Sequence, residues 1–181
     1  MAAEKPTVYI LRGDDREQIE TRLHDFSARL GEPDMAEMNT SHLEGKSTTL
    51  NDLRAAALAM PFLTERRLVI VEDAIQPFAG NGKDKDRQAF LALLESLPPT
   101  TALVLVIPDS KKYRKGEFEW ETLKVKHWLM SWVNRHTEQV MILDCALPTD
   151  AEMNQWVRAK AAELGGSLTP AAVSALVEHV G

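Results

Sequence analysis

The 181-residue sequence contains one cysteine, Cys145. A lone thiol excludes an internal disulfide framework and a cysteine-built zinc site. Placed at the end of an apolar run, it is expected to be buried and inert. The five histidines, His24, His42, His127, His136 and His179, are scattered, and none sits in a His-Glu-x-x-His spacing; no metal centre is expected. No apolar run approaches the roughly 20 residues needed to span a bilayer. The opening Met1-Ala2-Ala3-Glu4-Lys5-Pro6 lacks the apolar stretch of a signal peptide, so a cytoplasmic protein without membrane contact is expected. An excess of positive charge is also missing. The net charge of −6 argues against a surface that wraps nucleic acid as a whole.

What is present is enough apolar side chain, 44% of residues, to bury a core in one domain and part of a second. Thr7 to Leu11 reads as a buried strand, and Gly13-Asp14-Asp15 supplies a turn and a helix N-cap. Ile19, Leu23, Phe26 and Leu30 then recur at helical spacing, with Gly31 as a stop. A weaker strand is expected over Met35 to Asn39, followed by a polar loop from Thr40 to Lys46. Thr49 and Asp52 form a capping box for a helix whose Leu50, Leu53 and Ala57 share a face. Strands follow at Leu68 to Glu72, Ala102 to Ile107 and Val140 to Leu143. The helices between them carry Phe90, Leu93, Leu94 and Leu97, and then Trp120, Leu123, Trp128 and Trp132. Near-continuously apolar strands separated by helices indicate an α/β fold with an open parallel sheet covered on both faces.

The pattern changes at Leu147-Pro148-Thr149. Thr149 and Glu152 make a second capping box, Met153, Trp156, Val157 and Leu164 form one apolar face, and Gly165-Gly166 ends that helix. Thr169-Pro170 starts another, with Val173, Leu176, Val177 and Val180 inward. The expected organisation is an α/β domain over 1–147 and the start of a helical domain over 148–181. The last helix is expected to pack on residues beyond Gly181.

Two segments are candidates for binding. The first runs from the helix around Ala57 through Met60-Pro61-Phe62-Leu63-Thr64-Glu65-Arg66-Arg67 into the strand at Leu68. Large apolar side chains at a helix-to-strand corner are either an anchor for another protein's groove or are tucked beneath their own domain. The second is Lys111-Lys112-Tyr113-Arg114-Lys115, followed by Trp120, Lys124, Lys126, His127 and Trp128. Basic residues interleaved with aromatics hold phosphates and stack bases, and a solvated loop has the same composition.

Motifs for catalysis are missing. A phosphate loop requires Gly-x-x-x-x-Gly-Lys-Ser/Thr directly after the first strand. Here that strand is followed by Arg12-Gly13-Asp14-Asp15-Arg16-Glu17, whose carboxylates would repel phosphate. Gly45-Lys46-Ser47 copies the end of the motif, with Thr40 at the first-glycine position. Leu68-Val69-Ile70-Val71-Glu72-Asp73 has the form of a magnesium-holding strand with no nucleotide to serve. No Gly-x-Ser-x-Gly elbow and no dinucleotide fingerprint is present.

These residues resemble the delta subunit of the bacterial DNA polymerase III clamp loader. Val8-Tyr9-Ile10-Leu11-Arg12-Gly13-Asp14-Asp15 is similar to the family's opening strand and turn, and Met60 to Val71 to its clamp-presenting segment. Leu164-Gly165-Gly166, Ala171-Ala172 and Leu176 are similar to its small helical second domain. The order Phe62 then Leu63 reverses the family's usual leucine-phenylalanine pair, and the segment from Lys111 to His136 is longer and more aromatic. The resemblance implies an AAA+-type, P-loop-ATPase-like sheet without a functional phosphate loop, followed by the start of a helical lid domain. It also implies that the chain corresponds to the N-terminal portion of a longer protein, without the C-terminal collar domain.

By that resemblance the chain is a non-catalytic subunit that binds and opens the sliding clamp (beta subunit) during DNA replication. Met60, Phe62 and Leu63 are its clamp-binding residues and no cofactor is implied. The other partners implied are the tau/gamma and delta-prime subunits, and primed DNA within the complex. Lys111, Lys112, Arg114 and Lys115 are candidate DNA or partner contacts. Competing readings are an active ATPase of the same architecture, a small-molecule enzyme on a doubly wound sheet, and a loader scaffold that does not touch the clamp.

Overall fold

The computed structural model describes residues 5–114 and 116–180. Residues up to Ala146 form one compact unit and those from Leu147 a second. In the first, five parallel strands lie in the order β2-β3-β4-β1-β7. They are β1 (Val8–Gly13), β2 (Thr40–Glu44), β3 (Arg67–Glu72), β4 (Thr101–Pro108) and β7 (Val140–Asp144). The connecting helices are α1 (Arg16–Ala28), α2 (Pro33–Met38), α3 (Leu50–Leu58), α4 (Asp84–Glu95) and α5 (Trp128–Val133). Strands β5 (Lys111–Arg114) and β6 (Glu117–Trp120) form a separate antiparallel hairpin.

Alternation along the strands divides the apolar side chains between two cores. Val8, Ile10, Val69, Val71, Leu103, Leu105 and Ile107 pack with Leu53, Phe90, Leu94 and Trp132 on one face. Tyr9, Leu11, Leu68, Ile70, Val104 and Val106 pack with Phe26 and Cys145 on the other. Both faces are covered, which is why the strands read as unbroken apolar runs.

In this first unit the sequence-based expectation differs from the structure in two segments. Met35 to Asn39, expected as a strand, lies largely in helix α2, because Pro33 occupies its first turn and Asp34 adds favourable charge there. The strand is instead Thr40–Glu44, in the segment expected to be a loop. Lys111 to Trp120, expected as a basic loop leading into a helix with Trp120, is the β5–β6 hairpin, and the helix is confined to Trp128–Val133. Asp109 fixes the base of that hairpin: its buried carboxylate accepts N–H bonds from Ser110, Thr122 and Leu123 at 2.9, 2.7 and 2.8 Å.

The expected caps are present. Asp15 accepts the Gln18 N–H at 3.0 Å, and Thr49 and Asp52 cap each other's main chain at the start of α3. In the second unit, the Thr149 N–H and hydroxyl donate to the Glu152 carboxylate at 3.0 and 2.7 Å, opening α6 (Asp150–Glu163). Gly165, with φ +77°, turns the chain out of that helix. Helix α7 (Pro170–Val180) follows. Val173 is buried, whereas Leu164 and Leu176, expected on inward faces, are exposed. The Val180 side chain lies outside the described residues.

Candidate functional site

Helix α3 ends at Leu58, and Ala59 turns extended. The chain then runs outward through Met60-Pro61-Phe62-Leu63 before entering β3 at Arg67. Met60 is 86% exposed, Phe62 52% and Leu63 81%. Three large apolar side chains thus share one short corner with solvent, and none is tucked beneath the domain. Leu63 holds φ +54°, one of only two non-glycine residues with positive φ among the described residues. A left-handed leucine costs about 1–2 kcal/mol, so the surroundings must impose it.

Those surroundings are identifiable. The Phe62 N–H donates to Asn39 Oδ1 at 2.6 Å, and Asn39 Nδ2 donates to the Phe62 carbonyl at 2.9 Å. The Thr64 hydroxyl donates to the Arg66 carbonyl at 2.8 Å, and the Arg66 guanidinium donates to the carbonyls of Pro6 and Thr101. Leu63 also forms part of the wall of a cleft of about 350 Å³ with Tyr9, Phe26, Leu30 and Leu68.

The carboxyl end of β1, where a nucleotide-binding relative would place its phosphate loop, is closed by the protein's own backbone. The Asp15 N–H donates to the Cys145 carbonyl at 2.9 Å, and the Cys145 N–H donates to the Arg12 carbonyl at 2.8 Å. A Cβ at Gly13, which has φ +153°, would lie 1.8 Å from the Cys145 oxygen. Lys46 of the Gly-Lys-Ser segment is not near β1; it follows the edge strand β2 and pairs with Asp73 at 3.5 Å. Burial raises the Cys145 thiol above its ordinary range, with Asp15 and Asp144 adding to the rise and Arg22 opposing it.

The basic and aromatic segment does not form a single platform. Trp132 is fully buried, with its indole N–H donating to Glu95 at 3.0 Å. Trp128 packs edge-on against Phe78 and Phe90. Trp120 is covered by the Arg12 guanidinium at 4.4 Å and by the Lys111 ammonium at 5.1 Å. Lys112 pairs with Glu121 at 2.7 Å. Arg114 ends β5 and Lys115 lies outside the described residues. Tyr113 of that segment and Phe118, which the sequence reading did not single out, form an exposed pair across the hairpin with ring centres 5.2 Å apart. Alternation of Tyr113, Phe118 and Trp120 about Gly116 was the available signal. Asn39 was also missed, since nothing local links it to a residue 23 positions away.

Among the described residues, no group of three or more His, Cys, Asp or Glu is placed to hold a metal ion, and no helix is long and apolar enough to cross a membrane. Fold and corner together define an α/β unit with an open parallel sheet, whose β1 turn is closed by main-chain hydrogen bonds and whose exposed apolar residues lie between α3 and β3. Residues 9–131, well over half of the chain, match the family of the DNA polymerase III delta subunit, a clamp-loader component. The chain belongs to that family. Its fold is similar to that of the Bacillus subtilis DNA clamp loader delta protein, with a TM-score of 0.66 and 19% identity over 94% of this chain and 47% of that one. A DNA polymerase III gamma subunit-related protein from Thermotoga maritima is more distant, with a TM-score of 0.46 and 16% identity over 90% of this chain and 48% of that one. The chain therefore spans about half the length of each of these structures. No curated protein sequence matches it.

Proposed function

We propose that this chain binds the sliding clamp of the replication machinery and favours its open form, with Met60, Phe62 and Leu63 as the anchor. The observation that carries the reading is the corner itself: apolar residues 86%, 52% and 81% exposed, one on a left-handed backbone, held by a hydrogen bond to Asn39 and another within the loop. Exposed apolar clusters of this kind fit a partner's groove, and strain retained in an exposed loop points to a role for the conformation. Opening follows if the anchor and its surroundings bind the open ring better than the closed one.

The chain acts without catalysis of its own, and nucleotide enters through partner subunits of the loader. The reason is the Asp15 to Cys145 closure where phosphates would sit. Lys111, Lys112, Arg114 and Lys115 form a second contact. Glu117, Glu119 and Glu121 lie on or beside the same hairpin, so its local charge is nearly balanced, which favours a protein neighbour over the DNA backbone.

Titration of the purified sliding clamp onto this chain tests the reading. Anchors at the centre of an interface typically contribute at least about 2 kcal/mol each, about 30-fold in affinity. The double change Phe62→Ala, Leu63→Ala is expected to abolish measurable binding. Unaltered binding by the folded double variant would remove the corner from the mechanism.

A further inference from the structure

We propose that Asn39 is the positioning residue of the exposed corner: its buried carboxamide, bonded to both main-chain polar groups of Phe62, fixes the conformation in which Met60, Phe62 and Leu63 are presented. The inference rests on the clamp-binding reading for its consequence and on geometry alone for its structural part.

Asn39 lies between α2 and β2 and is 1% exposed. Its Nδ2 donates to the carbonyls of Met35 and Phe62, each at 2.9 Å, while Oδ1 accepts the Phe62 N–H at 2.6 Å. The partners determine the orientation of the amide. Turned over, its NH2 would face an N–H and its oxygen would face two carbonyls. The two bonds to Phe62 reproduce, from a side chain, the paired N–H···O exchange of two antiparallel residues.

The main chain of the same residue holds the other end of the loop, because the Leu68 N–H donates to the Asn39 carbonyl at 2.8 Å. One residue therefore closes the segment from 62 to 68. Inside it, the Thr64 hydroxyl bonds the Arg66 carbonyl, and Leu63 takes its left-handed conformation. Before it, Pro61 has its φ fixed by its ring. A tip held this way pays less conformational entropy on binding than a free one.

No other common side chain fits these partners as well. Asp keeps the acceptor but sets an anionic oxygen against two carbonyls. Leu or Ala leaves the Phe62 polar groups without their partner.

The test uses the full chain carrying Asn39→Ala or the near-isosteric Asn39→Leu, each of which removes the acceptor of the Phe62 N–H, with amide hydrogen exchange at Phe62 and Ile70 and affinity for the purified sliding clamp. Expected for either variant is at least about tenfold faster exchange at Phe62 with exchange at Ile70 unchanged, and clamp affinity weakened about tenfold. If Asn39→Ala fails to fold, Asn39→Leu carries the test. Unchanged exchange at Phe62 in a folded variant would overturn the proposal. So would faster exchange with unaltered clamp affinity, if Phe62→Ala, Leu63→Ala does lose binding. Should that double variant bind like the wild type, the clamp reading fails by itself. The exchange at Phe62 then still decides whether Asn39 fixes the loop.

Discussion

Asp15 and Cys145, 130 positions apart in the chain, are joined by a main-chain hydrogen bond of 2.9 Å that spans the carboxyl ends of β1 and β7. The Asp15 amide is one of the groups a phosphate cradle would need. It is already used, and Asp14 and Asp15 set carboxylates at the same turn. Calorimetric titration with ATP and magnesium is expected to give no saturable heat. Micromolar binding that disappears on Lys46→Ala would contradict this.

The same closure makes Gly13 intolerant of a side chain. Gly13→Ala would place a methyl 1.8 Å from the Cys145 oxygen on a backbone with φ +153°. The backbone conformation alone costs roughly 1–3 kcal/mol, and the clash adds to it. A clear fall in melting temperature is expected, and an unchanged one would show that the β1 turn and β7 separate easily.

Leu63 predicts an opposition between stability and binding. Leu63→Gly relieves a left-handed leucine and removes an exposed apolar side chain. Glycine adopts φ +54° freely, though its greater freedom in the unfolded chain offsets part of the gain. The melting temperature is expected to stay level or rise while clamp affinity falls. A marked loss of stability would show that Leu63 belongs to the core around Tyr9 and Phe26.

His127 makes stability depend on pH. Burial lowers its pKa from the ordinary 6.5, the Arg87 charge lowers it further, and Asp109 opposes both. Its Nδ1 accepts the Leu129 N–H at 3.3 Å, which only an unprotonated nitrogen can do. Because the folded-state pKa lies below that of the unfolded chain, the unfolded chain binds more protons as pH drops below about 6.5. The contribution of His127 to stability is expected to be fully present above that pH and to be lost as pH falls through the interval down to the folded pKa. Denaturant titrations between pH 7.5 and pH 5.5 should show the slope, reduced in His127→Gln. An identical pH profile in that variant would assign the slope elsewhere.

Cys145 is buried and its thiol is held above its usual range by burial. Alkylation with iodoacetamide is expected to be negligible in the folded protein and rapid in urea, since the thiolate is the reactive form. Rapid labelling under native conditions would mean that the end of β7 opens readily.

Much of this fold was legible because its signals are local. The strands at Leu68 and Ala102 are buried on both faces and read as apolar runs, and the caps at Asp15, Thr49 and Thr149 lie three residues from their partners. Strand β2 was misplaced because it sits at the sheet edge with half-buried polar residues. The hairpin was obscured by its lysines, although Gly116, with φ +94°, supplies the turn between alternating aromatics. The exposure of Phe62 and Leu63 was left open by sequence, since a corner residue's burial depends on what lies opposite. Asn39 supplies that answer through contacts of residues 23 positions apart, which no periodicity encodes.

Closing the loop from Phe62 to Leu68 with one side chain also sets how the corner bears load. Residue 68 belongs to β3, which is hydrogen-bonded to β2 on one side and β4 on the other. A chain this short has little slack, at about 3.3–3.6 Å per residue when extended. Tension applied at Phe62 therefore passes into the interior of the sheet within a few residues and is shared with two neighbouring strands. The corner is a stiff tooth mounted on the sheet, able to transmit force to whatever it grips without first unreeling.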